Sequence, residues 1–190
     1  MSLKARSSSS SYTTPEGISF RAIRQNKQSL FRFPFIRGSL FNIILHQPEI
    51  PQNTGSIGRL CVSNNAKLHL IHPLGFETSD YYLRRAGLDY WEHLNPTHYD
   101  SWDDFLAAHP DMRLWLFTTK ATRRHTEVKF QEGDGLVFGR ETKGLPEELL
   151  KAHPDALIRI PMIGDFHRSL NLAQAAAIGL YEALRQTQRW

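Results

Sequence analysis

From Ser39 onward, short apolar runs alternate with amphipathic stretches. The apolar runs have the length and the β-branched or aromatic content of buried strands, and the first is LFNIILH at 40–46. Five more follow: KLHLI at 67–71, YWEHL at 90–94, RLWLFT at 113–118, GLVFG at 135–139 and ALIRI at 156–160. Because helix-like segments separate most of them, the pattern predicts an α/β fold with an open, mostly parallel sheet and helices on both faces.

Four helices are predicted from capping residues and apolar stripes. Asn53 is expected to cap a helix over 54–65, Ser101 a short helix that carries Phe105 and Leu106, and Pro146 stands near the first turn of a third. The last helix has a single apolar stripe with small residues in its middle, formed by Leu170, Ala173, Ala176, Ala177, Leu180, Tyr181 and Leu184. Such a stripe allows close packing against a sheet or a second subunit.

The first 38 residues read as a tail. They begin with a serine run and continue as a basic stretch with only scattered apolar positions. Two interpretations are open: an artificial leader with residues upstream of the true start, or an RNA-binding arm rich in Arg and Phe. Since 190 residues are too few for two ordinary domains, we expect 39–190 to form a single domain.

Composition narrows the function classes. A net charge of +4, from 23 basic and 19 acidic residues, permits an RNA partner without requiring one. Cys61 is the only cysteine, so an internal disulfide and the Cys-rich metal sites are excluded, which fits a reducing compartment such as the cytoplasm. No run reaches the roughly 18 apolar residues of a membrane helix, and no secretory signal is evident. We therefore expect no membrane partner.

Parallel sheets bind ligands at the carboxyl ends of their strands, which directs attention to the loops that follow them. The loop PEIPQNTGSIGRL at 48–60 combines Asn53, two glycines and Arg59 at a helix start. Bare backbone amides beside an arginine suit a phosphate. The alternative is a capped turn with a solvent-facing arginine.

Two later loops also carry candidate residues. In GLVFGRETKGLPEELL at 135–150, Gly139 lets a ligand approach the backbone and Glu141 can fix a partner, or the segment is a plain strand-to-helix joint with an exposed glutamate. In the loop before the last helix, Ser169 and Asn171 are either caps or ligands. GxGxxG is absent both from the loop at 135–150 and from the loop after the first strand, which disfavours a dinucleotide-binding dehydrogenase.

Other chemistries lack their motifs. His69 and His72 are close in sequence, but no HExxH, paired cysteines or carboxylate triad accompanies them, so we expect no metal site. No GxSxG elbow or P-loop occurs, so serine hydrolase and nucleoside triphosphatase activities have no support.

Taken in order, the three loops resemble the motifs of the SPOUT methyltransferases, specifically the SpoU (TrmH) branch that methylates ribose 2'-hydroxyls. Its Asn-x-Gly-x-x-x-Arg motif is matched by Asn53, Gly55 and Arg59, and its Ser-Leu-Asn signature by residues 169–171. The Phe-Gly-x-Glu-x-x-Gly-Leu motif is matched by Phe138, Gly139, Glu141, Gly144 and Leu145. Within the branch, LHQPEIPQNTGSIGRLC, LRRAGLDYW at 83–91 and FTTKA at 117–121 look most like the minimal TrmL (YibK-type) subfamily, and the resemblance covers 40–190.

The resemblance implies a fold and an activity. It implies a C-terminal deep trefoil knot, an obligate homodimer, and transfer of a methyl group from S-adenosyl-L-methionine to tRNA, at the wobble cytidine or modified uridine of the anticodon stem-loop. DNA is not an implied partner. The alternatives are a 2'-O-methyltransferase of another tRNA or rRNA site, or a catalytically silent RNA-binding protein on the same scaffold. A nucleotide-binding α/β enzyme of another kind would require the three-loop match to be coincidence.

The resemblance also implies roles for residues. Phe117, Thr118, Gly139, Ile160 and Ser169 would line the cofactor pocket. Arg59 would lie at the acceptor ribose, and the catalytic set would be completed by Asn53, Glu141, Ser169 and Asn171. Two departures stand out: Arg140 replaces a frequent Pro, and IGDFHRS at 163–169 is one residue longer than in near relatives.

Overall fold

The computed structural model of the chain describes residues 39–76, 94–164 and 169–188. Its strands are β1 Asn42–His46, β2 Lys67–Ile71, β3 Thr97–Tyr99, β4 Leu114–Phe117, β5 Gly135–Phe138 and β6 Leu157–Ile158. Its helices are α1 Pro51–Ser63, α2 Trp102–Ala108, α3 Glu147–Ala152 and α4 Leu172–Gln188, with 3₁₀ turns at His125–Glu127 and Pro154–Ala156. In the part of the chain described here, no helix combines the length and apolar character needed to cross a membrane.

Within the described residues, the strands form one sheet in the order β3-β2-β1-β5-β4-β6, and every neighbouring pair is parallel. This confirms the predicted parallel α/β sheet. Because all strands run the same way, their carboxyl ends meet at one edge. The loops after β1, β4, β5 and β6 therefore begin at the same side of the molecule.

Helices cover both faces of the sheet. On one face, Ile44, Leu116 and Val137 pack against Phe105 of α2 and Leu150 of α3 in a fully buried cluster. On the other face, α4 packs against α1 and β5. This two-sided burial explains why the strands read as continuous apolar runs rather than as alternating ones.

Most predicted strands are confirmed within one or two residues of their ends, and the third is not. Of the segment predicted as a strand at 90–94, only Leu94 lies within the described residues, and Leu94 is helical. The edge strand β3 lies instead at Thr97–Tyr99 and pairs with β2 through His69, Leu70 and Ile71. Three polar and aromatic residues at a sheet edge carry little apolar signal, so the pattern could not reveal this strand.

The predicted helix starts are partly corrected. Ser101 caps α2 as expected, with its Oγ accepting a hydrogen bond from the Asp104 amide at 3.1 Å. Asn53, however, is not the cap of α1: the helix begins at Pro51, Ile50 occupies the cap position, and Asn53 is buried in the first turn. Proline at the first helical position needs no amide partner, which lets the helix begin three residues earlier than predicted.

The apolar stripe predicted on α4 is rotated in the structure. The buried residues of the helix are Leu172, Ala176, Gly179, Leu180, Ala183 and Leu184. Tyr181, predicted within the stripe, is 46% exposed, and Ile178 is 38% exposed. Because α4 is buried by the sheet on one side only, part of its apolar surface remains on the outside.

The amino edge of the sheet is held by Asp134, which is 2% exposed. Its carboxylate accepts hydrogen bonds from Arg113 Nε at 2.8 Å and Nη2 at 2.7 Å, and from Trp115 Nε1 at 2.9 Å. The backbone N–H of Gln131 donates a further hydrogen bond at 2.9 Å. A buried carboxylate with four donors is well satisfied and locks the turn before β5 to β4.

A chain of buried polar groups crosses from β3 to β1. His69 Nε2 lies 3.1 Å from Asn42 Oδ1, and His69 Nδ1 lies 3.0 Å from the Tyr99 hydroxyl. That hydroxyl lies 2.8 Å from His109 Nε2. Burial, with smaller contributions from His109 and Lys67, lowers the pKa of His69 to about 4. His69 is therefore a neutral core histidine at pH 7.

Candidate functional site

A cavity of about 530 Å³ opens at the carboxyl ends of β4, β5 and β6. Its walls come from four segments, the first turn of α1, the loop after β4, the turn after β5, and the stretch from β6 into α4. These segments contribute Ile50, Asn53, Phe117, Thr118, Thr119, Lys120, Phe138, Gly139, Arg140, Glu141, Thr142, Lys143, Gly144, Leu145, Ile160, Met162, Ser169, Leu170, Asn171, Leu172 and Ala175. The structure thus brings together every predicted site residue except Arg59.

Glu141 ties the turn after β5 to the start of α1. Its carboxylate accepts hydrogen bonds from the Glu49 amide at 2.7 Å, the Ile50 amide at 3.2 Å and Asn53 Nδ2 at 2.9 Å. Ile50, at the cap position of α1, has no side chain that could accept a bond from the first turn. A carboxylate is favoured at the positive end of a helix dipole, so Glu141 takes over part of the stabilisation that a cap would supply.

Asn53 connects this cluster to the last helix. Asn53 Oδ1 accepts a hydrogen bond from Asn171 Nδ2 at 2.8 Å, while Asn53 Nδ2 donates to Glu141. Asn171 Oδ1 in turn accepts hydrogen bonds from the backbone N–H groups of Ala173 at 2.9 Å and of Gln174 at 3.4 Å, so Asn171 caps α4. Of the two residues proposed as caps or ligands, Asn171 is the cap. All three predicted loops are joined through one buried amide.

Glu49 and Thr142 form a second link between the loop before α1 and the turn after β5. The Thr142 amide donates to Glu49 Oε2 at 3.0 Å, and the Thr142 hydroxyl lies 2.7 Å from the same oxygen. These hydrogen bonds from Thr142 are the main reason that the pKa of Glu49 lies below its ordinary value. Since the Glu49 amide also donates to Glu141, the two loops are cross-linked in both directions.

The turn after β5 requires glycine at two positions. A Cβ at Gly139 would lie 2.2 Å from the carbonyl carbon of Gly144, a distance that no side chain tolerates. Gly144 has φ +67°, in the left-handed region. Arg140 and Gly144 exchange backbone hydrogen bonds of 3.2 and 2.9 Å, so the turn is tightly closed. The predicted importance of Gly139 thus has a steric basis.

One wall of the cavity is apolar and aromatic. Phe117 stacks on Phe138 with ring centroids 4.5 Å apart, and Ile160 and Leu172 also line the cavity. Gly179 of α4 lies against the Phe117 ring, because a Cβ there would be 2.6 Å from Phe117 Cζ. The packing of α4 on the sheet therefore sets the position of this wall.

The cavity is suited to holding a ligand, and Glu141, the one carboxylate in its described lining, is engaged by hydrogen bonds from the start of α1. Its described lining residues include hydroxyls, amides and carbonyl-rich turns but no histidine or cysteine. No group of three or more His, Cys, Asp or Glu side chains in the described ranges could hold a metal ion. Positioning of reactants is the chemistry that such a site can supply.

Arg59 lies outside the cavity of its own chain. It is exposed on α1, six residues after Asn53, which corresponds to about 9 Å along the helix axis. The segment 83–91 and residues Phe166, His167 and Arg168 lie outside the described residues.

Sequence reasoning missed several lining residues, among them Thr119, Lys120, Lys143 and Leu172. Each is adjacent in sequence to a predicted residue or to the same turn. Thr119 and Lys120 lie within FTTKA and Lys143 lies within the second motif, whereas Leu172 directly follows the third. Treating every position of each motif and the next residue as lining would have found them.

The geometry agrees with the comparison to known proteins. Residues 40–181 match the sequence profile of the SpoU rRNA Methylase family. The chain belongs to this family. The match spans the sheet, the three loops and most of α4, and so includes the entire described lining of the cavity.

Two of the relatives of this SpoU family chain named here are matched over nearly their whole length, and the third is matched over a little more than half of its length. A tRNA (cytidine(34)-2'-O)-methyltransferase of Saccharophagus degradans is 51% identical over 148 residues, which is 77% of this chain and 96% of the relative. A solved structure described as "Structural insights into the 2-OH methylation of C/U34 on tRNA" is 45% identical, with a TM-score of 0.73, and the match covers 77% of this chain and 95% of that one. The SpoU methyltransferase AviRb of Streptomyces viridochromogenes, solved in complex with the cofactor AdoMet, is 26% identical with a TM-score of 0.68, over 80% of this chain and 59% of AviRb.

Proposed function

We propose that this protein transfers a methyl group from S-adenosylmethionine to a ribose 2'-oxygen of tRNA, at the wobble nucleotide of the anticodon. The observation that carries the proposal is the joining of Glu141, Asn53 and Asn171 by hydrogen bonds of 2.9 and 2.8 Å beside the cavity. In a SpoU family chain with a relative 51% identical that is named for this reaction, the three loops form one connected site.

The cavity fits the proposed cofactor in size and chemistry. Its volume of about 530 Å³ lies within the range of about 300–1,000 Å³ typical of small-molecule sites. Phe117 and Ile160 offer apolar surface to an adenine ring, and Thr118, Gly139 and Ser169 offer polar groups at strand and loop ends. When bound, S-adenosylmethionine supplies an electrophilic methyl group on a sulfonium centre.

The residues of the chain would act mainly by positioning. Methyl transfer to oxygen requires the acceptor oxygen, the methyl carbon and the leaving sulfur to be collinear, and a rigid site can supply much of the rate by holding that geometry. Asn53, Glu141 and Asn171 fix the loops around the cavity. Ser169 lies on its rim, where its hydroxyl can orient a ligand.

Arg59 is proposed as a clamp for the acceptor. An arginine in a protein does not lose its proton, so Arg59 would stabilise the developing negative charge on the ribose oxygen and the adjacent phosphate. The proton would leave to phosphate or water.

A homodimer is part of the proposal. Apolar side chains on α1 and α4 are exposed, with Val62 39%, Ile178 38% and Tyr181 46% accessible. These helices pack against each other, so the side chains lie on neighbouring elements that a second copy could cover. Because Arg59 is on the same helix as Val62 and outside its own cavity, we propose that it serves an acceptor at the dimer interface.

Two fold-level proposals accompany the function. The cavity walls come from the segments after β4, β5 and β6, and β5 lies between β1 and β4 in the sheet, an arrangement compatible with a deep trefoil knot. We further propose that 39–190 form a single catalytic domain. The predicted tail at 1–38 lies outside the described residues.

The test is methyl transfer from labelled S-adenosylmethionine to tRNA, with nuclease mapping of the labelled nucleotide. Wild-type protein is compared with Arg59→Ala and with Arg185→Ala, a control on α4 about 20 Å along the helix from its first residue. Label at a wobble 2'-oxygen that is lost only in Arg59→Ala supports the proposal. Label in rRNA or at another tRNA position would support the proposed reaction but assign it a different substrate. Cofactor binding without transfer to any RNA would indicate a silent RNA-binding protein.

A further inference from the structure

A second recess adjoins the cofactor cavity on the turn after β5. It has a volume of about 370 Å³ and is lined by Lys120, Arg140, Lys143, Gly144, Leu145, Pro146 and Glu147. The first five of these residues also line the main cavity. The turn over 140–145 is therefore a shared rim, with the proposed methyl donor site on one side and the recess on the other.

The charges of the recess are predominantly positive. Its lining carries three cations and one carboxylate. Glu147 pairs with Lys120, which neutralises that lysine. In the described part of the chain, neither Arg140 nor Lys143 forms an ion pair within 4 Å, and the Arg140 guanidinium donates to the neutral Gln47 Oε1. Two cationic side chains remain available on the rim.

The backbone of the turn that carries these two cations is held in place by hydrogen bonds. The residues between them, Glu141 and Thr142, are both bound to the loop at 47–50, Glu141 through its carboxylate and Thr142 through its amide and hydroxyl. The backbone bonds between Arg140 and Gly144 close the turn. Arg140 and Lys143 both act electrostatically on the Glu49 carboxylate, but its oxygens already accept hydrogen bonds from Thr142. Little ordering of the backbone is then needed on binding.

We propose that this recess binds a phosphodiester of the RNA backbone next to the acceptor ribose, with Arg140 and Lys143 as its ligands. The inference rests on the proposed function. In RNA, the 2'-oxygen and the 3'-phosphodiester are on adjacent ribose carbons, so a site that receives a 2'-hydroxyl has a phosphate at its mouth. A cationic rim beside a methyl donor cavity meets this requirement, and arginine and lysine are the common phosphate ligands of single-stranded RNA sites.

The experiment measures the affinity of the full-length protein for an unmodified tRNA pool between 50 and 200 mM salt, together with its affinity for S-adenosylmethionine. The variants are Arg140→Gln, Lys143→Gln and their combination. Arg140→Lys tests whether charge alone restores binding, since it removes the forked donor. Lys129→Gln is the matched control, because Lys129 is exposed and its carbonyl accepts a bond from Arg113 just before β4, at the opposite edge of the sheet.

Each single glutamine variant is expected to weaken tRNA binding at least threefold and the double variant about tenfold. The salt slope should fall by about 0.7–0.9 for each phosphate that is no longer neutralised. Because Arg140 and Lys143 also line the main cavity, affinity for S-adenosylmethionine is expected to fall, but by a smaller factor than affinity for tRNA. The KM for tRNA rises more than kcat falls, and Lys129→Gln behaves as wild type. An unchanged salt slope, an equal loss of cofactor affinity, or the same effect from Lys129→Gln would overturn the inference. If wild type methylates tRNA and the variants match it, only the inference fails; if wild type methylates no RNA, the proposed function fails.

Discussion

Asn53 Nδ2 lies 2.9 Å from Glu141 Oε1, although 88 residues separate the two in sequence. Asn53 is 7% exposed, so this contact is largely shielded from water. Position 53 requires an amide, because the side-chain nitrogen donates a hydrogen bond to the Glu141 carboxylate and the side-chain oxygen accepts one from Asn171. The nearly isosteric aspartate retains the second function and reverses the first.

Asn53→Asp is therefore expected to lower affinity for S-adenosylmethionine at least tenfold at pH 7.5. Two carboxylates in contact cannot both stay ionised, so the pKa of the pair is raised and a shared proton restores the hydrogen bond at lower pH. Calorimetric titration at pH 7.5 and pH 5.5 should show partial recovery at the lower pH. Asn64→Asp, at the other end of α1, is the control and should bind the cofactor as wild type does. Equal affinity of Asn53→Asp at both pH values would contradict the assignment.

Gly179→Ala should disturb the cavity from behind its aromatic wall. The added methyl group would lie 2.6 Å from Phe117 Cζ, and Phe117 is held on its other side by Phe138. Overpacking of this kind costs about 1–3 kcal/mol of stability, and displacement of the ring is expected to weaken cofactor binding. Thermal unfolding and cofactor titration of Gly179→Ala, Phe117→Leu and the double variant check the mechanism. If the losses of stability caused by Gly179→Ala and Phe117→Leu add fully in the double variant instead of compensating, the steric explanation is wrong.

His69 makes stability depend on pH. Its pKa is lowered from 6.5 to about 4 in the folded protein, chiefly by burial, and the groups facing it are Tyr99, Asn42, His109 and Lys67. Between these pH values the unfolded chain binds more protons, so the free energy of unfolding falls as pH falls through this window. The loss attributable to His69 is about 2 kcal/mol between pH 7 and pH 5.

Urea denaturation of wild type and His69→Gln at several pH values measures this effect. The variant is less stable at pH 7 because it loses the bonds of the ring, but its stability should decline less toward pH 5. Burial also lowers the pKa of His46 and His109, so part of the slope remains in the variant. Parallel slopes in the two proteins would show that His69 does not titrate in this range.

Asp134→Asn separates stability from function. The change leaves Arg113 without its charged partner and replaces one acceptor oxygen by a donor that faces Arg113 or Trp115. Removing one partner of a buried pair costs about 3–5 kcal/mol, and the half-exposed Arg113 places this case at the lower end. The unfolding midpoint should drop, whereas cofactor affinity at 20 °C should not, because Asp134 lies at the opposite edge of the sheet from the cavity. A cofactor affinity that fell in proportion to stability would refute this separation.

The strands and the site loops were accessible from sequence for different reasons. The strands are buried on both faces, so they appear as uninterrupted apolar runs, whereas β3 lies at the edge and its Thr97 and His98 are exposed. The loops were recognised because they resemble the motifs of the SpoU family, whose sequence profile matches residues 40–181. Those motifs fixed neither the helix start at Pro51 nor the position of Arg59 outside the cavity, since both depend on how distant segments pack.

The misassigned cap of α1 shows the limit most clearly. Asparagine before a helical pattern ordinarily predicts a cap, because local hydrogen bonding decides most helix starts. Here the acceptor for the helix start comes from Glu141, 91 residues away from Ile50, and Asn53 is released for a different contact. No local window contains that information. The buried chain from His109 to Asn42 was hidden for the same reason, because its members come from three strands and a helix end.

Glu141 also sets an order of events during synthesis. When β1 and α1 emerge from the ribosome, the amides of Glu49 and Ile50 have only water as partner, since the carboxylate that completes them is still to be translated. Asn53 gains its second partner still later, because Asn171 is translated after Glu141. A polypeptide that stops short of α4 thus leaves its binding pocket open on one side. The walls of the cavity are consequently complete only after the chain has been translated through Ala175.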